Sequence, residues 1–161
     1  MSSEHDFPAT PAIRQLRAAG VAFELSAYTY VEHGGTRAAC EALGIAEHAC
    51  VKTLVMETPD KRPLVILMRG DREVSVKQLA RVLNVKSVEP CDPATAQRHT
   101  GYQVGGTSPF GLRKPMPVYV ERGLLGLPRI WINAGRRGLL CQIAPDTLTT
   151  LLNATPVEVA V

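Results

Sequence analysis

The spacing of apolar side chains shifts repeatedly along this chain between every third or fourth position and runs of consecutive β-branched residues, and each shift marks an element boundary. Thr10-Pro11 opens a first helix, because proline at the first helical position gives up an N–H that has no helical partner there. Ile13 and Leu16 form its apolar stripe and Gly20 ends it. Val21 to Tyr30 reads as a strand. His33-Gly34-Gly35-Thr36 reads as a loop ending in an N-cap, followed by a short helix from Arg37 to Leu43 closed by Gly44. Val51 to Thr58 and Leu64 to Gly70 are apolar, β-branched runs around Pro59-Asp60, the pattern of a hairpin. The clearest helix signal follows. Ser75 is its N-cap, Gln78 completes a capping box, Val74 can staple onto Leu79, and Asn84 is a left-handed cap after Leu83. Asp92-Pro93 starts another helix that Gly101 stops. Strand runs follow at Pro117 to Glu121, Arg129 to Asn133 and Leu139 to Ile143. A last helix spans Pro145 to Leu152, and Pro156 to Val161 adds an edge strand. Strands broken by isolated helices predict an α+β fold, a single compact domain with a mixed sheet.

A chain of 161 residues is about one domain and can bury a real core. Residues 10–161 read as that domain and residues 1–9 as a loosely held N-terminus. Hydrophobic content of 45% with 20% charge is ordinary for a soluble globular protein. A net charge of +3 allows an anionic partner, whereas a dedicated non-specific DNA binder is usually more basic, so no DNA partner is expected. No apolar run reaches the ~18 residues of a membrane span. Met1 to Phe7 carries no signal-peptide core, and a cytoplasmic location is expected. Cys40, Cys50, Cys91 and Cys141 include no Cys-x-x-Cys, so reduced thiols are expected and zinc is not. His5, His33, His48 and His99 are scattered, and neither a metal nor a cofactor is expected. His99, beside Arg98 at a helix end, suits the negative end of the helix dipole.

The densest candidate chemistry lies in Thr100-Gly101-Tyr102-Gln103-Val104-Gly105-Gly106-Thr107-Ser108-Pro109-Phe110-Gly111. Adjacent glycines mark backbone that must approach something closely or adopt positive φ. Arg113 and Lys114 follow, so a backbone-lined pocket with cations at its lip would suit an oxygen-rich, anionic ligand. A purely structural turn fits the same composition. Lys52 opens the apolar strand Val51-Lys52-Thr53-Leu54. It is either a strand-end lysine snorkelling to water or a cation held at the mouth of a pocket. No Gly-x-Ser-x-Gly elbow, Walker loop or His-Glu-x-x-His pair occurs.

Five blocks together carry a resemblance: Val51-Lys52-Thr53-Leu54, Ala96-Gln97-Arg98, Thr100-Gly101-Tyr102, Val104 to Gly111, and Gly135-Arg136-Arg137-Gly138. In this order, with Thr10-Pro11-Ala12-Ile13, Phe23 and Tyr28, they resemble the YbaK/EbsC family, which is related to the editing domain of bacterial prolyl-tRNA synthetase. The resemblance runs from about Thr10 to about Leu152. It implies a compact α+β domain with a curved, mixed sheet. It also implies a free-standing deacylase that removes a wrong amino acid from tRNA, notably Cys from tRNA(Pro). The implied partners are the 3′ end and acceptor stem of aminoacylated tRNA and a prolyl-tRNA synthetase. The alternative is a non-catalytic tRNA- or nucleotide-binding module that docks to a synthetase.

The resemblance implies roles position by position. Lys52 would contact the terminal adenosine of the tRNA and hold the ester, with Thr53 as a neighbouring polar group and Tyr28 as a pocket aromatic. Gly105 and Gly106 would surround the aminoacyl group, with Lys52 and Gly105 as the catalytic pair of positions. Thr107, Asn133 and Gly135 complete the expected substrate pocket, while Arg113, Lys114, Arg136 and Arg137 are the expected tRNA-binding cations. Three positions depart from the family's cysteine deacylases, which carry Ser, Asp and an aliphatic residue where this chain has Asn133, Leu140 and Thr107. Asn133 is expected to narrow the pocket and add a hydrogen-bonding group, and Leu140 removes a carboxylate.

Overall fold

The computed structural model describes Phe7 and residues 9–161, so most of the expected loose N-terminus, His5 included, lies outside the described residues. Helix α1 (Pro11–Ala18) begins as its sequence dictates, with the Thr10 hydroxyl accepting from the Ile13 N–H at 3.1 Å. The same hydroxyl donates to the Ala134 carbonyl at 2.5 Å, which ties the helix start to a distant strand. Strand β1 (Glu24–Ala27) is shorter than the expected Val21–Tyr30 run. Helix α2 (Gly35–Leu43) starts earlier than predicted, and its N-cap is Gly34 without a side-chain bond. Thr36 lies inside the first turn, where its hydroxyl donates to the Gly70 carbonyl at 3.4 Å instead of capping.

A short 3-10 turn (Glu47–Ala49) leads into β2 (Val51–Glu57), which forms the expected antiparallel hairpin with β3 (Pro63–Arg69). Helix α3 (Val76–Leu83) keeps half of its predicted box. The Ser75 hydroxyl accepts from the Gln78 N–H at 3.2 Å, but the Ser75 N–H donates to the Val159 carbonyl at 2.8 Å. Asn84 ends the helix in the left-handed conformation, φ 55°. After β4 (Glu89–Pro90), helix α4 (Pro93–Thr100) is capped by the Asp92 carboxylate on the Thr95 N–H at 2.8 Å and closed by left-handed Gly101. Then come β5 (Val118–Glu121), α5 (Arg122–Leu125), β6 (Ile130–Arg136), β7 (Leu139–Ile143), α6 (Thr147–Leu152) and β8 (Thr155–Val157).

The expected mixed sheet is the five-stranded one, ordered β4-β2-β3-β5-β8, with β5 parallel to both β3 and β8. A second, antiparallel sheet, β1-β7-β6, stands beside it, and a bridge between Cys50 and Trp131 joins the two. Central β3 is buried on both faces, which is why Leu64 to Met68 is one unbroken apolar run. Val65 and Leu67 face a core shared with Ile13, Leu16, Ile130 and Ile132. Leu64, Ile66 and Met68 face a second core with Leu79 and Val159. Cys40 and Cys50 are paired in a disulfide that joins α2 to the start of β2, contrary to the expected reduced thiols; Cys91 and Cys141 are free.

Candidate functional site

A groove of about 750 Å³ lies between β2, the start of α2, the loop before α3, the glycine-rich loop and β6. Of the predicted site residues it gathers Tyr28, Lys52, Thr53, Gly105, Thr107, Asn133 and Arg137. Lys52 sits opposite Met68 in the β2–β3 register, and its side chain is 20% exposed. Its ammonium donates to the Arg72 carbonyl at 2.7 Å and to the Glu73 carboxylate at 3.0 Å. An ammonium has three donors, so one remains for the groove. Its neighbour Thr53 also lines the groove, and its hydroxyl oxygen is buried with no hydrogen-bond partner among the described residues. Such an orphan costs roughly 1–3 kcal/mol.

The glycine-rich stretch divides into anchors and a wall. Tyr102, Ser108 and Phe110 are buried, and the Tyr102 hydroxyl donates to the Phe110 carbonyl at 2.5 Å. Burial pushes the Tyr102 phenol well above its ordinary range. Gly111 rests on α1 so closely that a Cβ there would lie 2.5 Å from the Pro11 backbone. Between these anchors, Val104, Gly105 and Thr107 face the groove. Gly105 has φ +90°, and a Cβ on it would meet the Tyr30 hydroxyl at 2.7 Å. Gly106 does not line the groove. A Cβ on it would lie 2.7 Å from the Arg137 backbone nitrogen, and its N–H is held by the Gln103 carbonyl at 2.8 Å. Gly135 does not line it either: its Cα approaches Tyr102 and Thr10 at positive φ. Both lie in close contact with neighbouring chain.

Asn133 lines the groove and also holds its loop. Its side-chain nitrogen donates to the Gly105 carbonyl at 3.1 Å, and its oxygen accepts from Gly135 N–H at 2.7 Å and Arg136 N–H at 3.1 Å. The register shift between Asn133 and Arg136 creates those two free N–H groups. Asn133 therefore clasps the glycine-rich loop onto the β6 bulge, with one side-chain N–H and its oxygen engaged in doing so. Arg137 holds the same loop from the far side of the bulge. Its Nε donates to the Val104 carbonyl at 2.8 Å, and its guanidinium lies over the Tyr30 ring at 4.8 Å.

The four predicted tRNA-binding cations are not brought together. Arg137 lines the groove and Arg136 is exposed beside it. Arg113 and Lys114 sit at the end of α4, where their N–H groups bond the Thr100 and His99 carbonyls and the Arg113 side chain covers Gly101. They do not line the groove. Tyr28 does, and burial raises its phenol above the ordinary range.

Tyr30 and Glu73 are groove residues the sequence reading missed. Tyr30 was the end of an expected strand, and Glu73 belongs to a charged turn with no local signal. Cys91, also missed as a groove residue, has its thiol pushed up to about 11, first by burial and then by the Glu57 carboxylate.

Fold and groove together define an α+β domain with a groove between a lysine-bearing strand and a glycine-rich loop. The sequence profile of the aminoacyl-tRNA editing domain family matches residues 33–151, and the chain belongs to that family. It is 30% identical over 151 residues to an Enterococcus faecalis protein assigned as Cys-tRNA(Pro)/Cys-tRNA(Cys) deacylase EbsC, covering 93% of this chain and 92% of that protein. It is 38% identical over 84 residues to the proline–tRNA ligase of Desulfovibrio desulfuricans, 52% of this chain but only 14% of the ligase. A crystal structure assigned as a trans-editing enzyme for prolyl-tRNA synthetase has the same fold, with a TM-score of 0.83 at 22% identity, covering 96% of this chain and 99% of that one. Among the described residues, no helix is long and apolar enough to cross a membrane.

Proposed function

We propose that this chain is a free-standing aminoacyl-tRNA deacylase that clears Cys from mischarged tRNA(Pro). The observation that carries this reading is the meeting of Lys52, Thr53 and Gly105 along one groove. The names of the E. faecalis relative and of the proline–tRNA ligases support the amino acid and the tRNA. Such an activity answers a physical limit: a missing methylene is worth only about 1–3 kcal/mol in a binding site, so a synthetase needs a second, differently shaped site.

In this reading Lys52 holds the tRNA end through its free N–H. Thr53 bonds the aminoacyl or ribose oxygens, and Gly105, Thr107 and Tyr28 enclose the amino acid. Arg136 and Arg137 meet acceptor-stem phosphates, with Arg113 and Lys114 as more distant contacts. An aminoacyl ester is already activated, so a groove that orients it needs little more. For Cys the substrate supplies the nucleophile. Its Sγ attacks its own carbonyl carbon and forms the C–S bond of a thiolactone. The ester C–O bond breaks, and the ribose oxygen leaves with the thiol proton. Water then opens the thiolactone.

A deacylation screen over Cys-, Ala-, Ser-, Thr- and Pro-charged tRNA tests both parts. The expected outcome is rapid release from Cys-tRNA and survival of Ser-tRNA, which is similar in shape but a poorer nucleophile. Equal release from Ser- or Ala-tRNA would replace substrate-thiol attack with water attack, and release from none would refute the enzyme.

A further inference from the structure

The Lys52 ammonium is held by a single exposed side chain, Glu73, mounted on an unusually well-fixed turn. The Glu73 carboxylate accepts from Lys52 at 3.0 Å while remaining 79% exposed, and the neighbouring Arg72 carbonyl takes the second N–H at 2.7 Å. The turn has its own support. Glu73 N–H donates to the Val161 carbonyl at 3.1 Å, and Val161 N–H donates back to the Glu73 carbonyl at 2.8 Å. Ser75 N–H donates to the Val159 carbonyl at 2.8 Å, and Val159 N–H in turn bonds the buried Glu121 carboxylate at 2.9 Å. Residues 159–161 thus form a strap, running from a buried carboxylate in the core to the turn that grips the lysine.

From this we propose that Glu73 is a positioning residue for Lys52 and that the strap at residues 159–161 fixes it in place; the proposal rests on the deacylase reading above. A lysine stem has four soft torsions, and an exposed ion pair contributes little to folding stability. Two bonds to one fixed turn leave the ammonium one orientation, with its remaining N–H directed away from the turn. The same carboxylate could instead act as a screen that keeps an anionic tRNA end from the lysine. The two roles predict opposite signs.

The test combines kinetics on Cys-tRNA with chemical labelling. Glu73→Ala is expected to lower kcat/KM roughly tenfold through a misdirected ammonium. Glu73→Gln, which keeps an acceptor oxygen, should recover most of that loss. In a Lys52→Ala background, Glu73→Ala should change nothing further, because a positioning residue acts only through the group it positions. An equal loss in both backgrounds, or a gain of activity in Glu73→Ala, overturns the proposal. Reductive methylation of the folded proteins, read at Lys52 by mass spectrometry, provides an arm that needs no turnover. Lys52 should react several-fold faster in Glu73→Ala at an unchanged melting temperature, and equal rates overturn the tether. If the unaltered protein cleaves no charged tRNA, the deacylase reading falls, and the labelling still decides whether Glu73 holds Lys52.

Discussion

On one wall of the groove, β2 presents Lys52 and Thr53 as side chains from a backbone paired along its length with β3. On the other, Val104, Gly105 and Thr107 form the loop wall, and the side chains Asn133 and Arg137 hold its backbone. The strand wall has a position fixed by sheet hydrogen bonds and a chemistry fixed by which residue stands there. In the loop wall the chemistry is that of any peptide group, and its position depends on a few long-range clasps. Substitutions should therefore fail differently on the two sides, with chemistry lost from an intact fold on the strand and geometry lost together with stability on the loop.

The largest effect is expected on the strand. Lys52→Ala should lower deacylation by about 100-fold, comparable to removing one positioned donor from an active site. The protein should still unfold cooperatively, since Lys52 anchors no core. Lys52→Arg should recover only part, because a planar guanidinium cannot replace a compact ammonium between the Arg72 carbonyl and the Glu73 carboxylate. Near-normal turnover by folded Lys52→Ala would return Lys52 to a lysine snorkelling at a strand end and would remove the contrast between the walls.

The loop wall should respond to Asn133→Ala in both activity and stability. Three groups lose their partner: the Gly105 carbonyl and the N–H groups of Gly135 and Arg136. Water reaches some of them, so a cost of about 1–2 kcal/mol is expected. For a chain of this size that is a fall of roughly 3–6 °C in Tm. Activity should fall with it, by roughly tenfold, as the loop drifts from the ester. Asn133→Asp sharpens the point. Its carboxylate still accepts from the two N–H groups of the bulge but cannot donate to Gly105, so stability should largely return while activity does not. Unchanged Tm and turnover in Asn133→Ala would show that the loop is held elsewhere, by its Tyr102 and Gly111 anchors.

The two walls also differ in how legible they were. Lys52 stood out because a lysine interrupts an apolar run, whereas Thr53 was marked only by the family resemblance. The helix caps at Thr10, Ser75 and Asp92 were equally plain, since each bonds an N–H three residues away. The loop's clasps join residues far apart in the chain, as from Asn133 to Gly105, and no local pattern announces a partner at that distance. For the same reason Glu73 and the Cys40–Cys50 pair escaped notice, as did the close approaches of Gly106 and Gly135 to neighbouring chain. The division of strands into two sheets was hidden too: the bridge between Cys50 and Trp131 depends on how the hairpins lean together. What the sequence marked was local hydrogen bonding and broken alternation; what it hid was pairing across the fold.

The smallest expected effect belongs to the remaining groove thiol, which lies on neither working wall. Cys91 lines the groove, and its Sγ donates to the Glu57 carboxylate at 3.7 Å. With its titration pushed up to about 11 by burial and by that carboxylate, it stays protonated at neutral pH. Only about one molecule in ten thousand would carry a Cys91 thiolate at pH 7, too little for a nucleophile. Cys91→Ser should therefore keep kcat on Cys-tRNA within about twofold. The pH profile gives an independent check. If the substrate's own thiol attacks, the rate corrected for spontaneous ester hydrolysis should rise with pH and level off near the free-cysteine value of about 8.5. An attacking Cys91 would instead keep the rate climbing through pH 9 and 10 toward its own higher value, and the climb would vanish in Cys91→Ser. A steep loss in that variant would move the chemistry from the substrate to the protein.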